Sequence, residues 1–317
     1  MNHDLSSSQI AAILDTLVAL PDTDSLPSHG NWGVWAKEYP EAVAWTLDAL
    51  QKKKLSAAFR IEYRKQLRAA QSSQLVSTAV ELERLLKVDA ARLPSLPAGS
   101  FFLQAQIELE QPMMTRDDRL FSVSDNVVRK DRVFGWPHLA ASSWKGCFRA
   151  ALYQMGFNSS ETRSDYDRIW GVGPEKDDPD SGRTGRLHFY PTFFHRIDFR
   201  MLNPQSRLHR SGGNPVELEV VPEKEKGWFQ LLYVPYYVYP SNDWKTELAE
   251  DWSIVGQVSN TMLRTTGFGA KVSLGFGSAK DAVTAGTLRV SSETGWHSVP
   301  FQKISELPSL AVPGDRP

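Results

Sequence analysis

The chain has 317 residues, with 36 Lys plus Arg against 37 Asp plus Glu and a formal net charge of −1 at pH 7. That length is a prior for about two domains with ample core, and the balanced charge excludes a polycation that holds nucleic acid by bulk charge, while a local basic groove stays open. A lone cysteine, Cys147, rules out an internal disulfide and a four-cysteine zinc site, and the absence of a long apolar run or signal peptide predicts a soluble, cytoplasmic protein with no membrane partner.

Residues 1–90 read as an all-helical N-terminal domain. Ser6-x-x-Gln9 fits a capping box, and Ile10, Ile13, Leu14, Leu17 and Val18 follow at helical spacing. Pro21, Pro27 and Gly30 break that helix. Pro40 suits the first turn of a second helix over 40–50. Two more are predicted over 55–70 and 74–87, the last with an apolar stripe at Val76, Val80, Leu82, Leu85 and Leu86. Residues 1–50 hold seven acids and one base, whereas 51–100 hold ten bases and four acids. Lys52 to Lys54, Arg60, Arg64 and Arg68 form a basic stripe that fits either a solvated helix face or a docking surface.

Residues 91–99 read as a linker, its prolines and glycine breaking periodicity. A period-2 strand follows, Phe101, Leu103, Ala105, Ile107 and Leu109 alternating with Phe102, Gln104, Gln106, Glu108 and Glu110. It is expected to be half-buried, with one solvated face. The connection over 111–141 is too long for a simple turn, and such loops are usually functional. A helix then opens at Ser142 and ends near Gly156. Strands are expected at 185–194, 216–221 and 228–238, a second helix at 244–264, a glycine-rich segment at 265–277, and a closing strand near 287–290. The order β, α, β, β, α, β with insertions is that of a ferredoxin-like, RRM-like α+β domain over 100–305. Residues 306–317 read as a flexible tail.

The stretch Ser124–Leu152 concentrates chemistry. Asp125 and Asp131 enclose Arg129 and Lys130, and Ser142-Ser143-Trp144-Lys145-Gly146 opens a helix with Arg149 one turn beyond Lys145. Hydroxyls at a helix start cap free N–H groups. With the partial positive charge there and two cations they also make a phosphate site. A loop followed by an ordinary capped helix accounts for the same residues equally well.

These residues resemble the signature of the RAMP superfamily, the repeat-associated proteins that build type III CRISPR effector complexes, and most closely its backbone subunits. The matching elements are Asp125-Asn126, Val127-Val128, Lys130-Asp131, Pro137 and Ser142 to Arg149. Val127 stands where these subunits usually carry Pro, and Ala141 where Gly usually precedes the serine pair. The segment Thr265–Gly277 resembles the family's glycine-rich loop, and Asn203–Val221 its inserted thumb hairpin, near 200–215, before a Glu-Val-Val-Pro strand at Glu219–Pro222.

The resemblance implies a guide-RNA-binding subunit of an antiviral ribonucleoprotein, partnered by CRISPR guide RNA, complementary target RNA and other effector subunits. Asp125 would be the catalytic residue and metal ligand, cutting guide-paired target RNA as an endoribonuclease with Mg²⁺ or another divalent cation. Capping of its own turn is the competing use of that aspartate. Arg129, Lys130, Ser142, Ser143, Lys145 and Arg149 would contact RNA, as would Arg207, His209 and Arg210 of the thumb. In the glycine-rich loop, Gly267, Gly269, Gly275 and Gly277 would expose amides to phosphates, Phe268 would stack on a base, and Arg264 and Lys271 would meet backbone charge. A hairpin with glycine turns is the plainer reading of that loop.

Three alternatives stay open: a non-catalytic terminal or capping RAMP subunit, a stand-alone module for single-stranded RNA, and a purely structural interaction protein, which the near-zero net charge and the helical extension favour. The second predicts solvent-facing aromatics on the sheet, for which Phe102, His188 and Tyr190 are the candidates. No Walker loop, GxSxG or HExxH occurs.

Overall fold

The structure, a computed structural model, describes residues 7–28, 31–73, 87–88, 96–117, 123–124, 126–133, 135–157, 163–173, 182–203, 215–235 and 244–312. In chain order the helices are α1 (Ser7–Ala19), α2 (Trp32–Glu38), α3 (Pro40–Ala49), α4 (Lys53–Ser73), α5 (Ala141–Gln154), α6 (Arg163–Trp170) and α7 (Trp244–Thr261). The strands are β1 (Phe101–Glu108), β2 (His138–Leu139), β3 (Gly171–Val172), β4 (Arg183–Thr184), β5 (Leu187–Phe189), β6 (Thr192–Phe193), β7 (Asp198–Leu202), β8 (Val216–Val220), β9 (Lys226–Tyr233), β10 (Ala282–Ser292) and β11 (Gly295–Lys303). The predicted 74–87 helix lies mostly outside the described residues.

Backbone contacts divide the chain into two units. One gathers 1–82, 116–137 and 195–220, and the other 83–115, 138–194 and 221–317. Two segments read from sequence as insertions in the second domain thus fold with the amino-terminal helices. Charge explains it. The basic stripe of α4 meets acids of the β7–β8 hairpin, Arg68 pairing with Asp198 at 2.7 Å and Arg64 with Glu217, while both guanidiniums lie over the Phe199 ring. Lys52 Nζ donates to the carbonyls of Leu17 and Val18 at 2.6 and 2.8 Å, and to Leu20 O, closing the end of α1. The core of this unit joins Leu17, Trp32, Val43, Leu47, Leu55, Phe59 and Val123.

The second unit is built on an antiparallel sheet in the order β11-β10-β1-β9-β5. With β1, α5, β5, β9, α7 and β10 in chain order, this is the ferredoxin-like arrangement with one added edge strand, β11. The β8 segment is not in this sheet, because it pairs with β7. One face of β1 and β9 carries Phe101, Leu103 and Ala105 opposite Tyr233, Leu231 and Phe229. Phe101 stacks on Tyr233 at 4.5 Å and meets Trp252 of α7 edge-on at 5.1 Å.

The other face of β1 is not solvated as expected. Phe102 is wholly buried, packed with Leu232 and Val234 beneath Val88, Leu96, Tyr190 and Trp296. Gln104 and Gln230 bond each other at 2.9 Å, and Gln230 Oε1 accepts the Val88 N–H at 2.8 Å. The chain's own residues Val88 and Leu96 therefore cover the surface that the single-stranded RNA module would need. That overturns Phe102 as a stacking platform. His188 is half-buried, its pKa lowered by burial and by the charge of Lys145.

Candidate nucleic-acid interface

Helix α5 divides cleanly. Trp144, Phe148, Ala151 and Leu152 are buried, leaving Ser142, Gly146 and Arg149 outward. Trp144 sets the helix in place. Its Nε1 donates to Thr192 Oγ1 at 2.9 Å, that hydroxyl donates to Trp228 O at 2.7 Å, and the indole packs on Phe229 and Phe268 at 4.9 and 4.8 Å. Sequence reasoning passed over Trp144 as the variable position between Ser143 and Lys145.

The serines do not cap the helix. The N-cap is Ala140, whose carbonyl accepts the Trp144 N–H at 3.0 Å without a side-chain cap bond. Ser142 and Ser143 instead occupy the first turn, where backbone N–H groups lie beyond the reach of intrahelical acceptors. Hydroxyls, first-turn amides and the Lys145 and Arg149 side chains share this end of the unit. Arg149 Nε and Nη2 donate to Tyr153 Oη at 3.1 and 2.8 Å. That bond heads the influences that raise the Arg149 pKa.

The glycine-rich loop follows a π-helical turn, Met262–Thr266, and comes to rest against α5. Gly269 N–H points at Cys147 Sγ from 3.4 Å. Two corrections follow. Phe268 is wholly buried against Trp144, so it is core and not a base platform. The glycine amides are also spent inside the fold, on Met262 O for Gly267, Val272 O for Gly275 and Pro112 O for Gly277. The glycines serve close packing. A Cβ on Gly277, at φ 72°, would stand 1.8 Å from Phe268 O. Arg264 pairs with Asp281 at 3.4 Å and with Asn260 at 3.3 Å, whereas Lys271, at φ 59°, shapes the loop.

In the first unit, the segment after Asp125 is fixed to β8. Asn126 Nδ2 donates to Glu217 O at 3.2 Å, Val128 N–H to Glu219 Oε2 at 3.3 Å, and Lys130 Nζ to the same oxygen at 3.0 Å. Burial works to lower the Lys130 pKa, but Glu219 and Tyr63 outweigh it and raise it. Lys130 is thus a buried structural cation, and its expected RNA contact is withdrawn. Arg129 is exposed on the adjoining position. Asp131 Oδ1 accepts the Val133 N–H at 2.8 Å, forming a local turn. Asp125, Arg207, His209 and Arg210 lie outside the described residues.

Among the described residues, no three His, Cys, Asp or Glu side chains gather to hold a metal ion. Glu217 is paired with Arg64, and Glu219 with Lys130. No described helix is long and apolar enough to cross a membrane.

The RAMP superfamily model matches residues 106–280, more than half of the 317-residue chain. The chain belongs to the RAMP superfamily. Its matched span in this RAMP protein includes the last residues of β1, then α5, β9, α7 and the glycine-rich loop. Similar solved structures include a chain of the type III-B Cmr-beta complex bound to cognate target RNA, at 13% identity over 80% of this chain and 77% of that one, TM-score 0.40. Another belongs to a CRISPR RNA-guided surveillance complex, at 11% identity over 68% and 77% of the two chains, TM-score 0.39. No curated protein sequence matches the chain.

Proposed function

We propose that this RAMP protein is a guide-RNA-binding subunit of a type III CRISPR ribonucleoprotein, working beside other effector subunits and complementary target RNA. The observation that carries this reading is the meeting of the family's two signature segments. Helix α5 presents Ser142 and Arg149 outward with Lys145 half-buried between them, and the 267–277 loop rests on the same helix through Phe268 and Gly269. Contacts of this kind grip a phosphate backbone and read little sequence, which suits a subunit whose specificity is delegated to base pairing.

Charge reversal tests it. Lys145→Glu combined with Arg149→Glu is expected to strip guide RNA from the purified complex at moderate salt, with the fold intact by circular dichroism. Undiminished RNA retention would remove α5 from the interface.

Cleavage is a separate proposal resting on the family resemblance of Asp125. Loss of target cutting by the assembled complex on Asp125→Ala supports it. Unchanged cutting makes this a non-catalytic terminal or capping subunit.

A further inference from the structure

Beside the outer face of α5 lies an open cleft of about 500 Å³ lined by Arg149, Tyr153, Tyr166, Asp167, Trp170 and residues 171–173. Such a volume falls within the range of small-ligand sites, about 300–1,000 Å³. Three rings form a ladder along it. Tyr153 and Tyr166 stack at 5.8 Å and 18°, and Tyr166 and Trp170 at 6.3 Å and 22°. Lys145 Nζ stands 4.9 Å and Arg149 Cζ 5.8 Å from the Trp170 ring centroid.

We infer that this cleft receives one unstacked nucleotide of single-stranded RNA, its base against the Tyr166–Trp170 ladder and its phosphate on Lys145 and Arg149. The inference rests on the guide-RNA reading above and adds a base-binding element that the backbone contacts do not require. Flat aromatic faces beside cations are the combination that holds single-stranded nucleic acid without reading its sequence. Asp167 in the same lining disfavours a free, highly charged phosphate compound, whereas a nucleotide turns its base toward that side and its single phosphate toward the cations.

The cleft is also stiff. Arg149 is oriented by its two bonds to Tyr153 Oη, which itself lies 3.2 Å from Tyr166 Oη. Helix α6 is tied down by Arg168 to Asp251 at 2.7 Å and by Arg186 N–H to Ile169 O at 3.0 Å. The carbonyl of Trp170 lies against Gly185, where a Cβ would approach it to 2.1 Å. A platform held this firmly loses little entropy on binding.

The test uses the full-length protein and a short single-stranded RNA with one 2-aminopurine, compared with the same RNA made abasic at that position. The cleft predicts quenched 2-aminopurine fluorescence and binding of the abasic RNA weaker by about tenfold. Trp170→Leu should bind both RNAs equally, at the abasic level. Tyr153→Ala, at an exposed position, serves as a second variant if Trp170→Leu does not fold. Tight RNA binding that is indifferent to the abasic site and to both variants overturns the cleft and leaves the backbone-binding reading standing. Absence of RNA binding at any salt overturns both.

Discussion

Lys130 Nζ lies 3.0 Å from Glu219 Oε2, and the Glu219 carboxylate is wholly buried. Its other oxygen, Oε1, has no hydrogen-bond partner among the described residues. The pair fixes the segment that follows Asp125 to strand β8. Removing one member of a buried ion pair leaves an uncompensated charge. Lys130→Met is therefore expected to cost about 3–5 kcal/mol in urea unfolding. Lys130→Met with Glu219→Gln should recover most of that loss, because the amide still accepts the Val128 N–H. A double variant as unstable as the single one would contradict this.

Alkaline pH should loosen the same cluster. Burial pushes the Tyr63 phenol up to about 12, with Glu219 adding to the rise, and Lys130 is also raised. Both groups hold their protons more tightly when folded. Their contribution is complete below the unfolded values near about 10 and is lost as pH rises toward about 12. Urea melts at increasing pH across that window should show falling stability, and Tyr63→Phe should flatten the fall. A pH-independent midpoint would exclude the coupling.

Two glycines should respond oppositely to alanine. At Gly277 the new Cβ would meet Phe268 O at 1.8 Å with φ at 72°, so a loss of at least about 1–3 kcal/mol is expected. Gly146 sits mid-helix, and a Cβ added there would meet nothing within 4 Å. Gly146→Ala should raise stability by about 0.5–1 kcal/mol. If RNA passes close to α5, the same variant weakens RNA retention while melting later. Unchanged retention would show that the methyl is accommodated.

Phe268 separates packing from recognition. Phe268→Ala should destabilise by about 3–5 kcal/mol as a core truncation against Trp144. The milder Phe268→Leu should keep full RNA affinity. Lost affinity at unaltered stability would restore a base-contacting role.

Cys147 should be a slow thiol. Burial pushes its pKa up, although the Gly269 N–H opposes this. Alkylation by a maleimide at neutral pH is expected to lag well behind that of the urea-unfolded chain, since the thiolate is the reactive form. Equal rates would place the glycine-rich loop away from α5.

The α/β order of the second unit was legible because β1 alternates, α7 carries apolar residues at helical spacing, and α5 opens on the Ser142-Ser143 motif. Strand β11 was not, since most of Gly295–Lys303 is exposed and offers no apolar alternation. Helix α6 was hidden by its polar sequence RSDYDRIW, whose aromatic ladder forms only against α5. The assignment of β7 and β8 to the helical unit depends on Arg64 and Arg68 finding acids more than a hundred residues away, which no local pattern records. Glu219 in VELEVV sits where simple alternation would leave it solvated, and its burial follows from Lys130 and the Val128 N–H. The motif residues Ser142, Lys145 and Arg149 lie on the side of α5 away from its apolar face, while Phe268 and Lys130 match the signature through packing.

The most direct measurement is sequencing of the RNA that co-purifies with the tagged protein from cells carrying a CRISPR array and the neighbouring effector genes. Guide-length RNAs with uniform repeat-derived ends, diminished by the Lys145→Glu, Arg149→Glu variant, are the predicted result. Heterogeneous cellular RNA, or none, would contradict the guide-binding account.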